Sequence, residues 1–280
     1  MTIRIIDIHS HLNLSPLTET KEAILAKMKE LEVGTITVGT GLATSKDAVA
    51  IAEAYPDRCW ATVGIHPTDA DEDFYEHQFE MLARHIKVVA IGETGLDYFR
   101  DQSAETKAKQ AELFKKHIEL AQKVGKPLML HVRASKGSDD AYYDALGILD
   151  EYSLRQPTAE QAPSFRGGAR RAGVFANFHF FSGSRACMEA IVAAGYTVSV
   201  DGPITFSHDY DEMIKAVPLE SLMVETDAPF AAPAPYRGKT CEPWMVVEVA
   251  KKIAELKSMK EEAVFQQLLQ NTRTFFGLDF

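Results

Sequence analysis

The sequence predicts a single α/β domain, a (β/α)8 TIM barrel, on three observations. The chain has 280 residues, and such a barrel typically needs about 250. Eight short apolar runs alternate with longer helical patterns along its length, as parallel βα units do. Histidines and carboxylates stand at the ends of most of those runs, where barrel enzymes carry their sites. Eight units in one domain favour closure over an open doubly wound sheet.

The expected strands cover residues 3–8, 35–38, 60–65, 88–91, 127–130, 174–178, 197–200 and 222–225. Each is a run of 4 to 6 mostly apolar residues, too short for a helix of ordinary length. Between them lie helical patterns. Residues 20–31 carry Ile24, Leu25, Met28 and Leu31, and residues 105–124 carry Leu113, Phe114, Ile118 and Ala121, at the spacing of one helix face. Two further helices are expected at 244–257 and 261–269, and Thr18 and Ser45 read as N-caps. Residues 153–173 break the rhythm with two Pro, three Gly and four Arg. They read as a loop insertion between the fifth helix and the sixth strand. The whole chain, 1–280, is read as one domain.

Composition narrows the class. Hydrophobic residues make up 46% and charged residues 25%, an ordinary globular mix that can bury a sizeable core. The formal net charge of −10 argues against a broad polyanion-binding face, though a local site can borrow positive charge from a metal. Cys59, Cys187 and Cys241 are far apart, with no CxxC spacing. That indicates neither a disulfide framework nor a thiolate zinc site, and a reducing, cytoplasmic setting fits best. No apolar run is long enough to cross a membrane, and no signal peptide is read.

The chemistry lies at the strand ends. After the first run come His9 and His11, which alternation places on one face. After the third comes His66; after the fourth, Glu93; after the fifth, His131, then Arg133; after the sixth, His179; after the eighth, Glu225 and Asp227. A lone histidine at a strand end is more often structural than a ligand. Asp227 beside Pro229 could be a turn residue, and Glu93 a salt-bridged acid. Convergence of all of them on one barrel mouth outweighs these separate readings. Mixed imidazole and carboxylate donors suit Zn, Mn, Co, Ni or Fe better than Mg. Four ligand histidines and two carboxylates exceed one tetrahedral ion. They match two ions roughly 3.5–4 Å apart, and hence metal-assisted hydrolysis.

The stretches DIHSHL, VGIHP, AIGETGLDYFR, KPLMLHVR, HFFSGS, SVDGPITF, ETDAPF and YRGKTCEP run in order from residue 7 to 243. Together they resemble the TatD family of metal-dependent hydrolases, within the amidohydrolase superfamily of barrels. The resemblance implies a divalent-metal-dependent DNase, often acting 3′ to 5′ on single strands, with a DNA or oligonucleotide 3′ end as substrate. It implies that His9, His11 and Asp227 hold one metal, His131 and His179 a second, and that Glu93 bridges them. It makes Asp227 the general base, His66 and Arg133 contacts to the scissile phosphate, and Asp7 and Glu225 supporting residues. Hydrolysis of a small ester, amide or phosphodiester on the same scaffold stays open, as does a non-catalytic metal-binding role. Three departures bear on substrate preference. Cys241 stands where the family usually has Asn, Ala134 where an acid is usual, and the 153–173 insertion where the connection is usually short. Arg155, Arg166, Arg170 and Arg171 in or beside that insertion read as a solvated loop or a basic patch.

Overall fold

The computed structural model describes residues 2–154 and 174–280. Eight strands form one all-parallel sheet in sequence order: β1 (Ile5–Ser10), β2 (Val33–Val38), β3 (Cys59–Val63), β4 (Val88–Asp97), β5 (Leu128–Arg133), β6 (Ala176–His179), β7 (Thr197–Val200) and β8 (Leu222–Val224). The helices between and after them are α1 (Leu17–Glu30), α2 (Leu42–Ala54), α3 (Glu76–Ala83), α4 (Ala104–Val124), α5 (Asp140–Leu154), α6 (Arg185–Ala193), α7 (Asp211–Ala216), α8 (Val246–Leu256) and α9 (Glu261–Phe276). The barrel seam is closed just beyond β8. The Asp227 N–H donates to the His9 carbonyl at 2.9 Å, and the His11 N–H to the Ala228 carbonyl at 2.7 Å.

Two apolar layers explain the unbroken hydrophobic runs. Ile5, Val63, Leu128, Phe178 and Val198 face outward and pack on helix residues such as Phe79, Phe114 and Ile191. Ile6, Ile8, Ile36, Trp60, Met129 and Met223 form a separate interior cluster with Phe276 and Leu278 from the chain's end. Strands covered on both faces lose the alternation that a half-exposed strand shows. Ile8 is fully buried in the interior layer, so truncating it to Ala should cost about 2–5 kcal/mol.

Two β-bulges shape the mouth. Asp7 pairs with Thr35 but Ser10 with Thr37, so β1 inserts one extra residue at Ile8–His9. Ile91 pairs with Leu128 but Thr94 with Leu130, so β4 does the same at Gly92–Glu93. A bulge re-aims the side chains around it. With Ile6 and Ile8 facing inward, strict alternation would turn His9 outward. The bulge turns it in.

The strands extend further than their apolar runs. Glu93 and His131 lie within β4 and β5, not after them, because pairing continues through Gly95 with His131 and Asp97 with Arg133. Helix α9 continues past residue 269 to Phe276, carried by buried Asn271, Thr272 and Phe276. Residues 243–245 form a 3₁₀ turn ahead of α8. The two expected caps are not caps. Thr18 is inside the first turn of α1. Ser45 lies within α2, where its buried hydroxyl accepts from the Gly64 N–H at 3.2 Å and ties α2 to β3. Side-chain caps come from Ser103 on α4 and Ser184 on α6.

Cys241, expected near substrate, is fully buried with its thiol on the Thr226 carbonyl at 3.9 Å. It supports the β8 loop from behind. The insertion at 153–173, with its four arginines, lies outside the described residues apart from Ser153 and Leu154, which end α5. Among the described residues no helix is long and apolar enough to cross a membrane.

Candidate metal centre and active site

Glu93 is the hub. It is buried, and its two oxygens divide the histidines. Oε1 lies 2.8 Å from His179 Nε2, 2.9 Å from His131 Nδ1 and 3.5 Å from His66 Nε2. Oε2 lies 3.4 Å from His9 Nε2 and 3.9 Å from His11 Nε2. Asp227 Oδ1 joins the second group, 3.5 Å from His11 Nε2 and 3.7 Å from His9 Nε2. All of the expected ligands therefore meet at one place. Gly92 makes this possible. Its φ is +149°, and a Cβ there would stand 2.3 Å from the Met129 carbonyl oxygen, so the chain delivers Glu93 through a position only glycine tolerates.

Hydrogen bonds on the far side of each ring reveal which nitrogen carries the proton, and so which rings can take a cation. His179 Nδ1 lies 3.3 Å from Glu225 Oε1, so it donates there and turns Nε2 toward Glu93 as the nitrogen that would face a cation. His131 Nε2 lies 3.1 Å from Asp97 Oδ2, which leaves Nδ1, 2.9 Å from Glu93 Oε1, as the nitrogen that would face a cation. His11 Nδ1 lies 3.3 Å from the Val38 carbonyl oxygen, which leaves Nε2 as the nitrogen that would face a cation. His9 Nε2 converges on His11 Nε2 at 3.3 Å, while its buried Nδ1 has no partner among the described residues. Imidazole nitrogens and carboxylate oxygens converging at these distances fit a divalent cation's donor set once the cation has displaced the protons between them.

His66 is built the other way. The backbone N–H of Thr68 donates to its Nδ1 at 3.2 Å, so Nδ1 holds the lone pair and Nε2 the proton. A ring whose inward nitrogen is protonated is a hydrogen-bond donor and a poor ligand. His66, Glu93 and His131 come close enough to form a metal-sized cluster. The tautomer nevertheless sets His66 apart from the ligands.

Electrostatics follow the same geometry. Burial would raise the Glu93 pKa, but the surrounding imidazoles outweigh it and hold the carboxyl well below the usual range. Burial works against charge on His179, yet Glu93 and Glu225 raise its pKa well above that of a free imidazole. His11 and His131 are raised by carboxylate partners in the same manner. Burial, then the nearby His179, lower His9. Burial lowers His66 to about 3, so it is neutral at neutral pH. Asp227 resists burial through His11 and His9 and stays below the ordinary carboxylate range.

The supporting residues behave differently from one another. Glu225 is fully buried and accepts from Phe180 N–H at 2.5 Å, His179 Nδ1 and Ser199 Oγ at 2.7 Å. Asp7 does not touch an imidazole. It accepts from the backbone N–H groups of His9 at 3.2 Å and Thr226 at 2.9 Å, so it fixes the two backbone segments that meet at the seam. Arg133 is exposed, its guanidinium 3.9 Å from the Phe99 ring centroid; it stands apart from the ligand cluster.

Three participants escaped the sequence reading. Asp97 orients His131, yet it lies within a strand with no spacing signal of its own. His117, on α4, accepts the Ile65 N–H at Nε2 (3.0 Å) and donates from Nδ1 to the Leu113 carbonyl (2.9 Å), which anchors the backbone next to His66. Asp201 follows β7 and is buried, with no partner for Oδ2 among the described residues, and burial followed by Glu225 and Asp227 raises its pKa well above the usual value. The rule that found the other strand-end acids, applied to the seventh run, would have found Asp201.

Comparison with known proteins finds relatives along nearly the whole chain. A family model described as TatD related DNase matches residues 6–277. The uncharacterized metal-dependent hydrolase YabD of Bacillus subtilis is 34% identical over 98% of this chain and 99% of its own. The 3′-5′ ssDNA/RNA exonuclease TatD of Pectobacterium parmentieri is 30% identical over 97% and 99%. In structure, the TatD homolog YJJV of Escherichia coli K12 superimposes over the full length of both chains with a TM-score of 0.84 at 27% identity.

Proposed function

The chain belongs to the TatD related DNase family of metal-dependent hydrolases, and from that premise we propose that it cleaves a phosphodiester at a DNA 3′ end with two divalent cations, zinc, manganese, magnesium or similar. The observation that carries the two-cation reading is the division at Glu93, with the two ligand imidazoles His179 and His131 on one oxygen and His9 and His11 on the other. His9, His11 and Asp227 would hold one cation, His131 and His179 the second, and Glu93 both. Such cations, when bound, lower the pKa of water toward neutrality and polarise the phosphoryl group.

The chain's own groups supply the remaining steps. Asp227, ionised at neutral pH, takes a proton from the attacking water. His66 donates its Nε2 hydrogen to a phosphoryl oxygen, a role for which a neutral imidazole with a fixed tautomer is suited. The exposed Arg133 guanidinium meets the phosphate from outside. The water oxygen bonds to phosphorus, the bond to the leaving 3′ oxygen breaks, and that oxygen takes up a proton from solvent. The exonuclease name of the Pectobacterium relatives supports a single-stranded substrate. The net charge of −10 favours one second reading, a small ester, amide or phosphodiester substrate. Three free, buried thiols support a reducing, cytoplasmic setting.

The test is metal-dependent shortening of end-labelled oligonucleotides from the 3′ side, set against small esters and amides. Glu93→Ala and Asp227→Ala should abolish it. No cleavage by the wild type across Mg, Mn and Zn would overturn the reading.

A further inference from the structure

Three exposed aromatic rings stand on loops of the barrel mouth. Phe99 is 48% exposed, Phe206 36% and Phe230 55%. Phe99 follows β4, Phe206 the 3₁₀ turn after β7, and Phe230 comes three residues after Asp227. Two of them carry a guanidinium laid over the ring: Arg133 over Phe99 at 3.9 Å and Arg237 over Phe206 at 4.2 Å. Both arginines are exposed, and neither forms a salt bridge among the described residues. In a chain with ten more acids than bases, two arginines at the mouth that lie over rings and outside any salt bridge are out of keeping with the rest of the surface, although the charge of Arg133 still lowers the pKa of Asp97.

The pairs are tied to the centre. Phe99 N–H bonds Asp97 Oδ1 at 3.0 Å, and the other oxygen of Asp97 holds His131. Arg133 ends β5, two residues after His131. Phe206 and Arg237 join the β7 and β8 loops, which touch so closely that a Cβ at Gly202 would stand 1.8 Å from the Ala231 carbonyl oxygen. The Phe230 ring lies 6.4 Å from His11. One plate therefore sits at the β4–β5 edge of the mouth and the other at the β7–β8 edge, with the histidine cluster between.

We propose that these phenylalanine–arginine pairs are stacking platforms for unpaired bases of single-stranded nucleic acid flanking the scissile phosphate. The proposal rests on the nuclease reading above. A flat apolar ring beside a guanidinium accepts the π-face of any base while the cation faces the backbone phosphates. A duplex hides those faces within its own stack, so the platforms select single strands without selecting sequence. They also account for a polyanion substrate on an acidic protein, because the attraction is local.

The test compares affinity for a labelled oligothymidine and for the same strand with abasic sites at its 3′ end, by fluorescence anisotropy. Removing one platform base contact should weaken binding roughly 5- to 150-fold, from about 1–3 kcal/mol per stacked base. The wild type should therefore prefer the base-bearing strand, and Phe99→Ala and Phe206→Ala should each narrow that preference. Phe206→Trp should keep it. Both phenylalanines are exposed, so melting temperatures should stay at the wild-type value. An unchanged preference in both alanine variants, with oligonucleotide cleavage intact, would overturn the platforms and leave the nuclease reading standing. A wild type that shortens no oligonucleotide would overturn the nuclease reading itself.

Discussion

Acid should loosen this protein through His117, a histidine that touches neither metal ligands nor solvent. Its imidazole is fully buried and neutral, held by the Ile65 N–H and the Leu113 carbonyl. Burial lowers its pKa from 6.5 to about 4. A protonated ring could not accept from Ile65, so charge costs both a desolvation and a hydrogen bond. Because the folded pKa is depressed for a base, the unfolded chain binds the proton first as pH falls. Stability is then lost between pH 6.5 and 4, to a limit of about 3 kcal/mol at 1.36 kcal/mol per unit. Between pH 7 and 5 the same linkage gives about 2 kcal/mol. The assay is urea unfolding of metal-free wild type and His117→Gln at both pH values, which cancels every other titrating group. The wild type's advantage should shrink by about 2 kcal/mol on acidification. An advantage constant within about 0.5 kcal/mol would refute the buried neutral imidazole. Because Ile65 adjoins His66, a crystal of the variant should also show the His66 loop displaced.

Other perturbations address the centre itself. Glu225→Gln removes the charge facing His179 and should weaken divalent-cation affinity roughly 10- to 100-fold, read by competition with a chelating dye; wild-type affinity would show that Glu225 only packs. Gly92→Ala forces a side chain into a φ of +149° against a carbonyl at 2.3 Å, with strain and overpacking together of roughly 2–6 kcal/mol; a melting temperature within about 1 °C of wild type would contradict this. His11, His131 and His179 have raised pKa values in the metal-free protein. Their stabilising contribution is full below pH 6.5 and fades as pH rises through the folded values. A cation must displace those protons, so affinity should climb with pH, and titration calorimetry in two buffers near pH 6.5 should detect proton release. Uptake with no proton release would mean that these rings are not the ligands.

Much of the barrel was legible because burial on both strand faces writes itself as apolar runs, and because strand ends carry polar residues for chemistry rather than packing. The details that failed are those set by pairing. Period-two alternation placed His9 beside His11, but the inward turn of His9 comes from a bulge, and no residue at Ile8–His9 announces one. Glu93 seemed to follow its strand because the apolar run ends at Ile91, whereas hydrogen bonding continues to Asp97. Asp97 and His117 were missed because their partners are close only in space. Thr18 and Ser45 had the chemistry of caps without the backbone position, since Pro16 and Gly41 precede the first turns. The supporting role of Glu225 was expected and takes the form of an imidazole bond, while that of Asp7 is exerted on the backbone.

The seam has one more consequence. The hydrogen bonds that join the first strand to the loop after the last one run between His9, His11, Asp227 and Ala228, so the first and last strands are stitched together beside residues that would share a cation. A divalent ion there is a clasp on a hoop. It would resist the peeling away of the final strand, which is the easiest way to open a ring. It would also make the centre absent from any chain whose synthesis or folding has not reached β8. A growing polypeptide carrying only the first seven strands lacks Asp227, so with the proposed ligand set hydrolytic competence would arrive only with closure and serve as its certificate.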